Sequence, residues 1–285
     1  MQLELGEHTI DVSTHAAIMA ILNVSRDSPI AASVVDPSAA LARAFELHEQ
    51  GAAIIDVGAH STASLAAKID PQEEIERITP VISALSAEGI PVSVDTWTPS
   101  VARAAAEAGV NLLNDVSGFR DSEMVTVAVE FRLPGVVMHM RGHPHGHYDV
   151  DQHYQDIGPE VRGFLLERAS ALQAAGAPPP LLDPGFEFAK SIDDNFRMLA
   201  DLPNLAAEGY PVLISASRKG FLAEALGYKK RQDVPGLLEA TLAFHSLAAV
   251  FGAHVIRVHD VEAHSYALRL VGRARPFLLD ANGKL

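Results

Sequence analysis

The sequence predicts a single α/β domain, an eight-stranded parallel βα barrel with a short N-terminal hairpin. Eight short apolar runs alternate with longer Ala-, Leu- and Glu-rich stretches of helical period. The runs are continuously apolar, as parallel strands buried on both faces must be. Each run also ends in polar or charged residues, the pattern of strands that finish at a functional rim. Eight such units are what a closed βα barrel requires, with an open doubly wound sheet as the alternative architecture. The 285 residues suit one barrel, and no Ser-, Gly- and Pro-rich tract divides them.

The first segment, Gln2–Val12, forms two short alternating pieces around Gly6-Glu7 and is expected to be a hairpin at the barrel's N-terminal mouth. Strands are expected at Ala17–Leu22, Ala53–Val57, Pro91–Val94, Asn111–Leu113, Gly135–Met138, Leu181–Leu182, Pro211–Ile214 and Val255–Val258. The helices between and after them are expected at Pro37–Gln50, Pro71–Glu88, Pro99–Ala108, Asp121–Phe131, Gln155–Ala175, Ile192–Glu208, Val234–Val250 and Val261–Arg273. Gly51, Gly89, Gly109, Gly176, Gly209 and Gly252 stand where residues that end helices belong.

Charge narrows the partners. Lys and Arg number 22 against 36 Asp and Glu, a net charge of −14. So acidic a surface repels phosphate backbones and anionic headgroups, which argues against nucleic-acid or membrane binding yet allows a local basic pocket for a small anion. The absence of cysteine excludes disulfides, thiolate metal sites and cysteine nucleophiles. No apolar stretch approaches about 18 residues. Met1–Asp11 lacks the basic start and apolar run of a signal peptide, so a cytoplasmic location is expected.

Active sites of such barrels lie at the C-terminal ends of the strands. The residues there are Asn23; Asp56; Asp95-Thr96; Asn114-Asp115; His139 and Arg141; Asp183; Ser217-Arg218-Lys219; and Arg257 with His259-Asp260. Helix capping accounts for single carboxylates but not for Lys219, Arg257 and His259. The set divides into two half-sites. Asp95, Asn114 and Asp183, with Lys219, can hydrogen-bond a planar heterocycle, while Asn23, Arg257 and His259 can hold an anion such as diphosphate, Asn23 offering an oxygen to Mg²⁺.

Eight segments at these strand ends, in order, are "IMAILNVSRDS" (Ile18–Ser28), "IIDVG" (Ile54–Gly58), "VSVDT" (Val92–Thr96), "LNDVSG" (Leu113–Gly118), "VMHMRG" (Val137–Gly142), "LDPG" (Leu182–Gly185), "SRK" (Ser217–Lys219) and "IRVHD" (Ile256–Asp260). Through them the chain resembles the dihydropteroate synthase family along nearly its full length. The resemblance implies a pterin-binding barrel, usually a homodimer, that condenses 7,8-dihydropterin-CH₂-diphosphate with p-aminobenzoate and releases diphosphate in the presence of Mg²⁺. It implies that Asp95, Asn114, Asp183, Lys219 and Met138 bind the pterin, with Asp95, Lys219 and Asp183 catalytic. It assigns Asn23, Arg257 and His259 to diphosphate and metal, and Ser61, Thr62, Phe188, Arg218 and Gly220 to the arylamine pocket.

The chain departs from the family on one side only. Where the family reads Thr-Pro-Asp-Ser-Phe-Ser-Asp-Gly-Gly after the first barrel strand, Ser25-Arg26-Asp27-Ser28-Pro29-Ile30-Ala31-Ala32-Ser33 stands here. Where it reads Gly-Glu-Ser-Thr-Arg-Pro after the second, this chain reads Ala59-His60-Ser61-Thr62-Ala63-Ser64. Glu187 and Ala189 replace glycines flanking Phe188, and Gly220 replaces a serine. The pterin and diphosphate residues are kept, so the expectation is a working pterin site with an altered arylamine side. That fits a synthase that excludes sulfonamides, a paralogue with another acceptor, or a pterin binder without chemistry. Arg26 is a candidate replacement for the lost loop arginine. A methyltransferase of the related folate-binding barrels is disfavoured by "SRK" and "RVH", which suit a diphosphate substrate.

His139, His143, His145, His147 and His153 invite a metal reading, but no helix fixes a partner, so a loop over the mouth is expected. Trp97 reads as core. Ser217 is not in a nucleophile elbow, and no base is spaced in sequence to serve it.

Overall fold

The computed structural model describes residues 1–24, 37–60, 69–147 and 149–278. The hairpin pairs β1 (Gln2–Leu5) with β2 (His8–Asp11), in register Leu3↔Ile10 and Leu5↔His8. The barrel follows as β3 (Ala17–Asn23), α1 (Pro37–Glu49), β4 (Ile54–Gly58), α2 (Pro71–Ala87), β5 (Val92–Asp95), α3 (Pro99–Glu107), β6 (Leu112–Asp115), α4 (Ser122–Glu130), β7 (Gly135–Met138), α5 (Ile157–Ala174), β8 (Leu181–Asp183), α6 (Ile192–Ala206), β9 (Leu213–Ile214), α7 (Gly220–Ala225), α8 (Leu237–Val250), β10 (Val255–Val258) and α9 (Val261–Leu278).

Strands β3 to β10 lie parallel in the order β8-β7-β6-β5-β4-β3-β10-β9. The ring closes where the Leu182 amide donates to the Pro211 carbonyl at 2.8 Å and Leu182 bridges Val212. The expected barrel and hairpin are therefore both present. Helices begin where the sequence supplies caps: Asp70 accepts from the Gln72 amide, Asp121 from Glu123 and Ser191 from Asp194. The six helix-ending glycines all take positive φ, from 71° to 110°.

Two helix boundaries differ from expectation by more than two residues, and one short helix is additional. The helix expected from Val234 starts at Leu237, because Pro235 pushes Val234 to an extended conformation after the 3-10 turn Arg231–Asp233. The last helix runs on to Leu278. The short α7 was not legible, since six residues carry too little periodicity.

Alternation along the strands divides the core. Ile18, Ala20, Leu22, Ile55, Val57, Val92, Val94, Leu113, Val137, Ile256 and Val258 face outward and pack under the helices. Ala17, Met19, Ile54, Leu112, Val136, Leu181, Leu213 and Val255 face inward at the lower end, where Leu3, Leu5 and Val12 of the hairpin region seal them. The hairpin thus stops the N-terminal mouth with apolar side chains. The upper interior is left to polar ones.

Candidate active site

The same alternation places Asn23, Asp56, Asp95, Asn114, Met138, Asp183 and Arg257 on the inward face, one or two pleats above the apolar plug. Asp115 has the opposite parity. Its carboxylate turns outward, where Oδ1 accepts from the Ser117 amide at 2.7 Å and Oδ2 from the Phe119 amide at 2.9 Å, and burial pushes its carboxyl up to about 6.

Arg257 joins the centre. Its Nε donates to Asp56 Oδ2 and its Nη2 to Asp95 Oδ2, each at 2.6 Å, and Asn114 Nδ2 donates to Asp56 Oδ2 at 3.1 Å. Register makes this possible, because Asp95 pairs with Asn114 across β5 and β6. Burial, assisted by repulsion from Asp56, pushes the Asp95 carboxyl up to about 7 against the pull of Arg257. Burial works against the Arg257 charge, but Asp56 and Asp95 together hold the guanidinium more firmly protonated than usual. Asp56 Oδ1 and Asp95 Oδ1 are buried and accept no hydrogen bond from described residues, so both can accept from the N–H edge of a bound heterocycle. Asp56 is the main site residue that the sequence reading left out of the half-sites. Its signal was a carboxylate in the middle of an apolar strand.

Lys219 and Asp183 face this array. Asp183 Oδ1 accepts from the Gly185 amide at 2.7 Å; burial raises its carboxyl, while that amide and the charges of Lys219, Lys190 and Arg257 oppose the rise. Lys219 Nζ donates to the Phe186 carbonyl at 2.7 Å and stands 4.3 Å from the centre of the Phe188 ring. Val116, Met138 and Met140, with Trp97 and Phe188 against them, form a separate apolar cluster at this rim. Trp97 therefore belongs to the rim and not to the main core. A flat ring with polar edges would meet carboxylates on one side and thioethers and aromatics on the other.

The segment after β8 is tightly held. A Cβ on Gly185, which takes φ +68°, would lie 2.0 Å from the His139 carbonyl oxygen. Lys190 braces the turn from inside, donating to His139 Nδ1 at 3.0 Å and to the Gly185 and Phe188 carbonyls at 2.8 and 3.2 Å. Burial lowers the Lys190 amine to about 7 and the His139 imidazole to about 2. Glu187 and Ala189 keep positive φ, +74° and +50°, at positions the family fills with glycine. Glu187 Oε1 accepts from the Gly220 amide at 2.5 Å and the Phe221 amide at 3.3 Å, so it fastens this turn to the start of α7.

The Ser217–Lys219 turn departs from the sequence expectation in one respect. The His259 amide donates to Ser217 Oγ at 3.2 Å, and Ser217 Oγ lies 2.8 Å from His259 Nδ1. The hydroxyl is hydrogen-bonded to the ring, and a histidine does stand against Ser217. Tertiary folding supplies it across 42 residues, beyond any local spacing. Burial lowers His259 to about 3. Arg218 gives both Nε and Nη2 to Asp260, at 2.7 and 2.5 Å, which commits its guanidinium to the turn. Behind it the Ala216 amide donates to His245 Nε2, so His245 Nδ1–H donates to His264 Nε2 and His264 Nδ1–H to the Asp260 carbonyl. That chain of donors ties the end of β9 to the end of β10.

Asn23 ends β3 beside Gly58, whose added Cβ would come within 3.7 Å of Asn23 Oδ1. Ser61 and Thr62, together with Arg26 and Pro29, lie outside the described residues. Among the described residues no three His, Asp or Glu side chains converge on a metal position.

A model of the family described as "Pterin binding enzyme" matches residues 19–259. The dihydropteroate synthase of Mycobacterium leprae is 40% identical over 261 residues, covering 90% of this chain and 92% of that protein. The structure of Thermus thermophilus dihydropteroate synthase in complex with 4-aminobenzoate superposes with a TM-score of 0.85 at 35% identity, covering 96% of this chain and 99% of that one. The Xanthomonas albilineans dihydropteroate synthase in complex with 7,8-dihydropteroate gives 0.82 at 34% identity, covering 96% and 99%.

Proposed function

The chain belongs to the pterin-binding enzyme family of the dihydropteroate synthases, and from that premise we propose that it condenses 7,8-dihydropterin-CH₂-diphosphate with p-aminobenzoate, giving 7,8-dihydropteroate and diphosphate. The observation that carries this reading is the buried array of Asp56, Asp95, Asn114 and Arg257 facing Asp183 and Lys219.

The chemistry follows from the charges. Asp95, Asn114 and Asp183 accept and donate along the pterin edges, with Met138 against the ring face and Lys219 at the opposite edge. As the C–O bond to diphosphate lengthens, its electron pair leaves with the diphosphate and positive charge develops on the pterin methylene. Carboxylates held in a dry barrel stabilise that charge without reorganising. The amine nitrogen then bonds to the methylene and gives up a proton, so the acceptor needs placement more than a base. Arg257, His259 and Asn23 serve the diphosphate end. Mg²⁺ supplies neutralising charge at the leaving oxygens when it is bound. Asn23 Oδ1, a hard oxygen donor, would hold it together with the diphosphate, which suits an ion that keeps several waters and takes few protein ligands.

The arylamine pocket of this reading comprises Phe188, Arg218 and Gly220 with Ser61 and Thr62, and its altered composition supports poor sulfonamide binding. A second reading, condensation with a different amine, is favoured by Glu187. Its carboxylate adds a negative charge at the Gly220 amide, next to Lys219, where an acidic acceptor would be repelled. The assembly proposed is a homodimer working in the cytoplasm; the exposed side chains of Leu247, Tyr266 and Leu270 on α8 and α9 support the first part.

Diphosphate release from 7,8-dihydropterin-CH₂-diphosphate with Mg²⁺ tests the reading, with and without p-aminobenzoate and with Asp95→Asn as control. Release that requires p-aminobenzoate and drops at least about 100-fold in the control is expected. Release without arylamine incorporation selects the second reading. Absence of release despite pterin binding removes both.

A further inference from the structure

We propose that His60 and His145 form a binding site for a first-row divalent metal ion, zinc above all, that ties the end of β4 to the turn 143–147 after β7. The site lies at the rim. His60 directly follows Ala59 at the end of β4, and His145 sits in the turn 143–147 with φ +69°. Their Nε2 atoms face each other at 3.3 Å. Two nitrogens bound at about 2.0–2.1 Å to one tetrahedral zinc stand about 3.3–3.4 Å apart, so the rings already have the bite of a shared ion.

A second observation points to a cation at this place. Glu74 of α2 is 1% exposed, and its Oε1 has no hydrogen-bond partner among the described residues. Its Oε2 lies 3.8 Å from His60 Nδ1, on the side of the ring away from His145. A carboxylate behind a ligating imidazole fixes the tautomer that presents Nε2 to the metal and raises its basicity. Burial and the neighbouring Asp95 charge raise the Glu74 carboxyl, against a hydrogen bond from Thr96. Trp97 completes the setting. Its ring lies 4.6 Å from His60 and 5.7 Å, edge on, from His145, and so walls one side of the pair. Two imidazoles leave the other coordination positions to water or to an anionic oxygen.

A direct N–H···N hydrogen bond between neutral imidazoles would give the same separation. The two explanations differ in what zinc does. The experiment is calorimetric titration of the untagged full chain with Zn²⁺ after treatment with a chelator, alongside the absorption spectrum with Co²⁺. One saturable equivalent and an intense four-coordinate Co²⁺ band are expected. His60→Ala and His145→Ala should each weaken Zn²⁺ binding at least 10-fold, Glu74→Gln about 10–100-fold, and His143→Ala and His153→Ala not at all. Absence of saturable binding overturns the proposal. So does retention of full affinity in either His60→Ala or His145→Ala, or loss of affinity in His143→Ala or His153→Ala instead. Circular dichroism in chelator establishes that each variant is folded; if His60→Ala is not, His145→Ala decides alone, because it alters only a half-buried side chain in a rim turn.

Discussion

Arg257 shows how one side chain can be both structural and functional. Asp56 and Asp95 share the same guanidinium, so Arg257 offsets the charge of two carboxylates, one fully buried and one nearly so. Removing one partner of a buried ion pair typically costs about 3–5 kcal/mol, because the remaining charge stays unpaired. Arg257→Ala should therefore lower the urea midpoint as well as abolish diphosphate release, and an Asp56→Asn, Arg257→Ala pair should regain stability without activity. Equilibrium unfolding of both variants checks this. Gly185 is a second such residue. Its left-handed φ and the His139 carbonyl 2.0 Å from any added Cβ leave no room for a side chain. Gly185→Ala should cost at least about 3 kcal/mol from backbone strain and overpacking together, and should weaken pterin binding by displacing the Asp183 loop, which calorimetry would measure.

Among the elements, β9 is the shortest of the barrel strands and depends on its neighbours. Only Leu213 and Ile214 are strand residues; the Val212 carbonyl accepts from the His254 and Val255 amides, and the Val212 amide donates to His254 Nδ1 at 3.1 Å. Burial lowers His254 from its ordinary 6.5 to about 4. The folded chain therefore binds less of a proton there than the unfolded chain between those values. Its contribution to stability is fully present above pH 6.5 and is lost as pH falls towards 4. Buried carboxyls with raised values, Asp115 at about 6 and Glu74 at about 7, act with the opposite sign. His254→Asn keeps an acceptor for the Val212 amide but cannot titrate, so its urea midpoint should fall less between pH 7 and pH 5 than that of the parent chain. Equal falls would show that His254 does not govern acid sensitivity.

At the scale of the whole molecule, a ring of helices covers the barrel, and α8 and α9 keep apolar side chains outside. Leu247, Tyr266 and Leu270 are 48%, 66% and 72% exposed, and Tyr266 and Leu270 are one helical turn apart. Sedimentation velocity should find a species of twice the chain's mass, and Leu270→Glu should convert it to the monomer. A monomeric parent chain would remove the dimer from the reading. Much of the architecture was legible beforehand, because buried parallel strands must be apolar throughout and helices need caps and terminal glycines, all of which are local properties. The hairpin, the eight barrel strands and the rim residues Asp95, Asn114, Asp183, Lys219 and Arg257 all follow from such properties. The closing seam at Leu182 and Val212, the Arg257 bridge to Asp56 and Asp95, the Ser217–His259 contact and the facing rings of His60 and His145 do not. These join residues as many as 201 positions apart, and their geometry depends on strand parity, register and closure of the ring. By itself the sequence determined which side chains reach the rim; only the tertiary structure decided which of them meet, because hydrogen bonds and ion pairs depend on distances that no linear spacing contains.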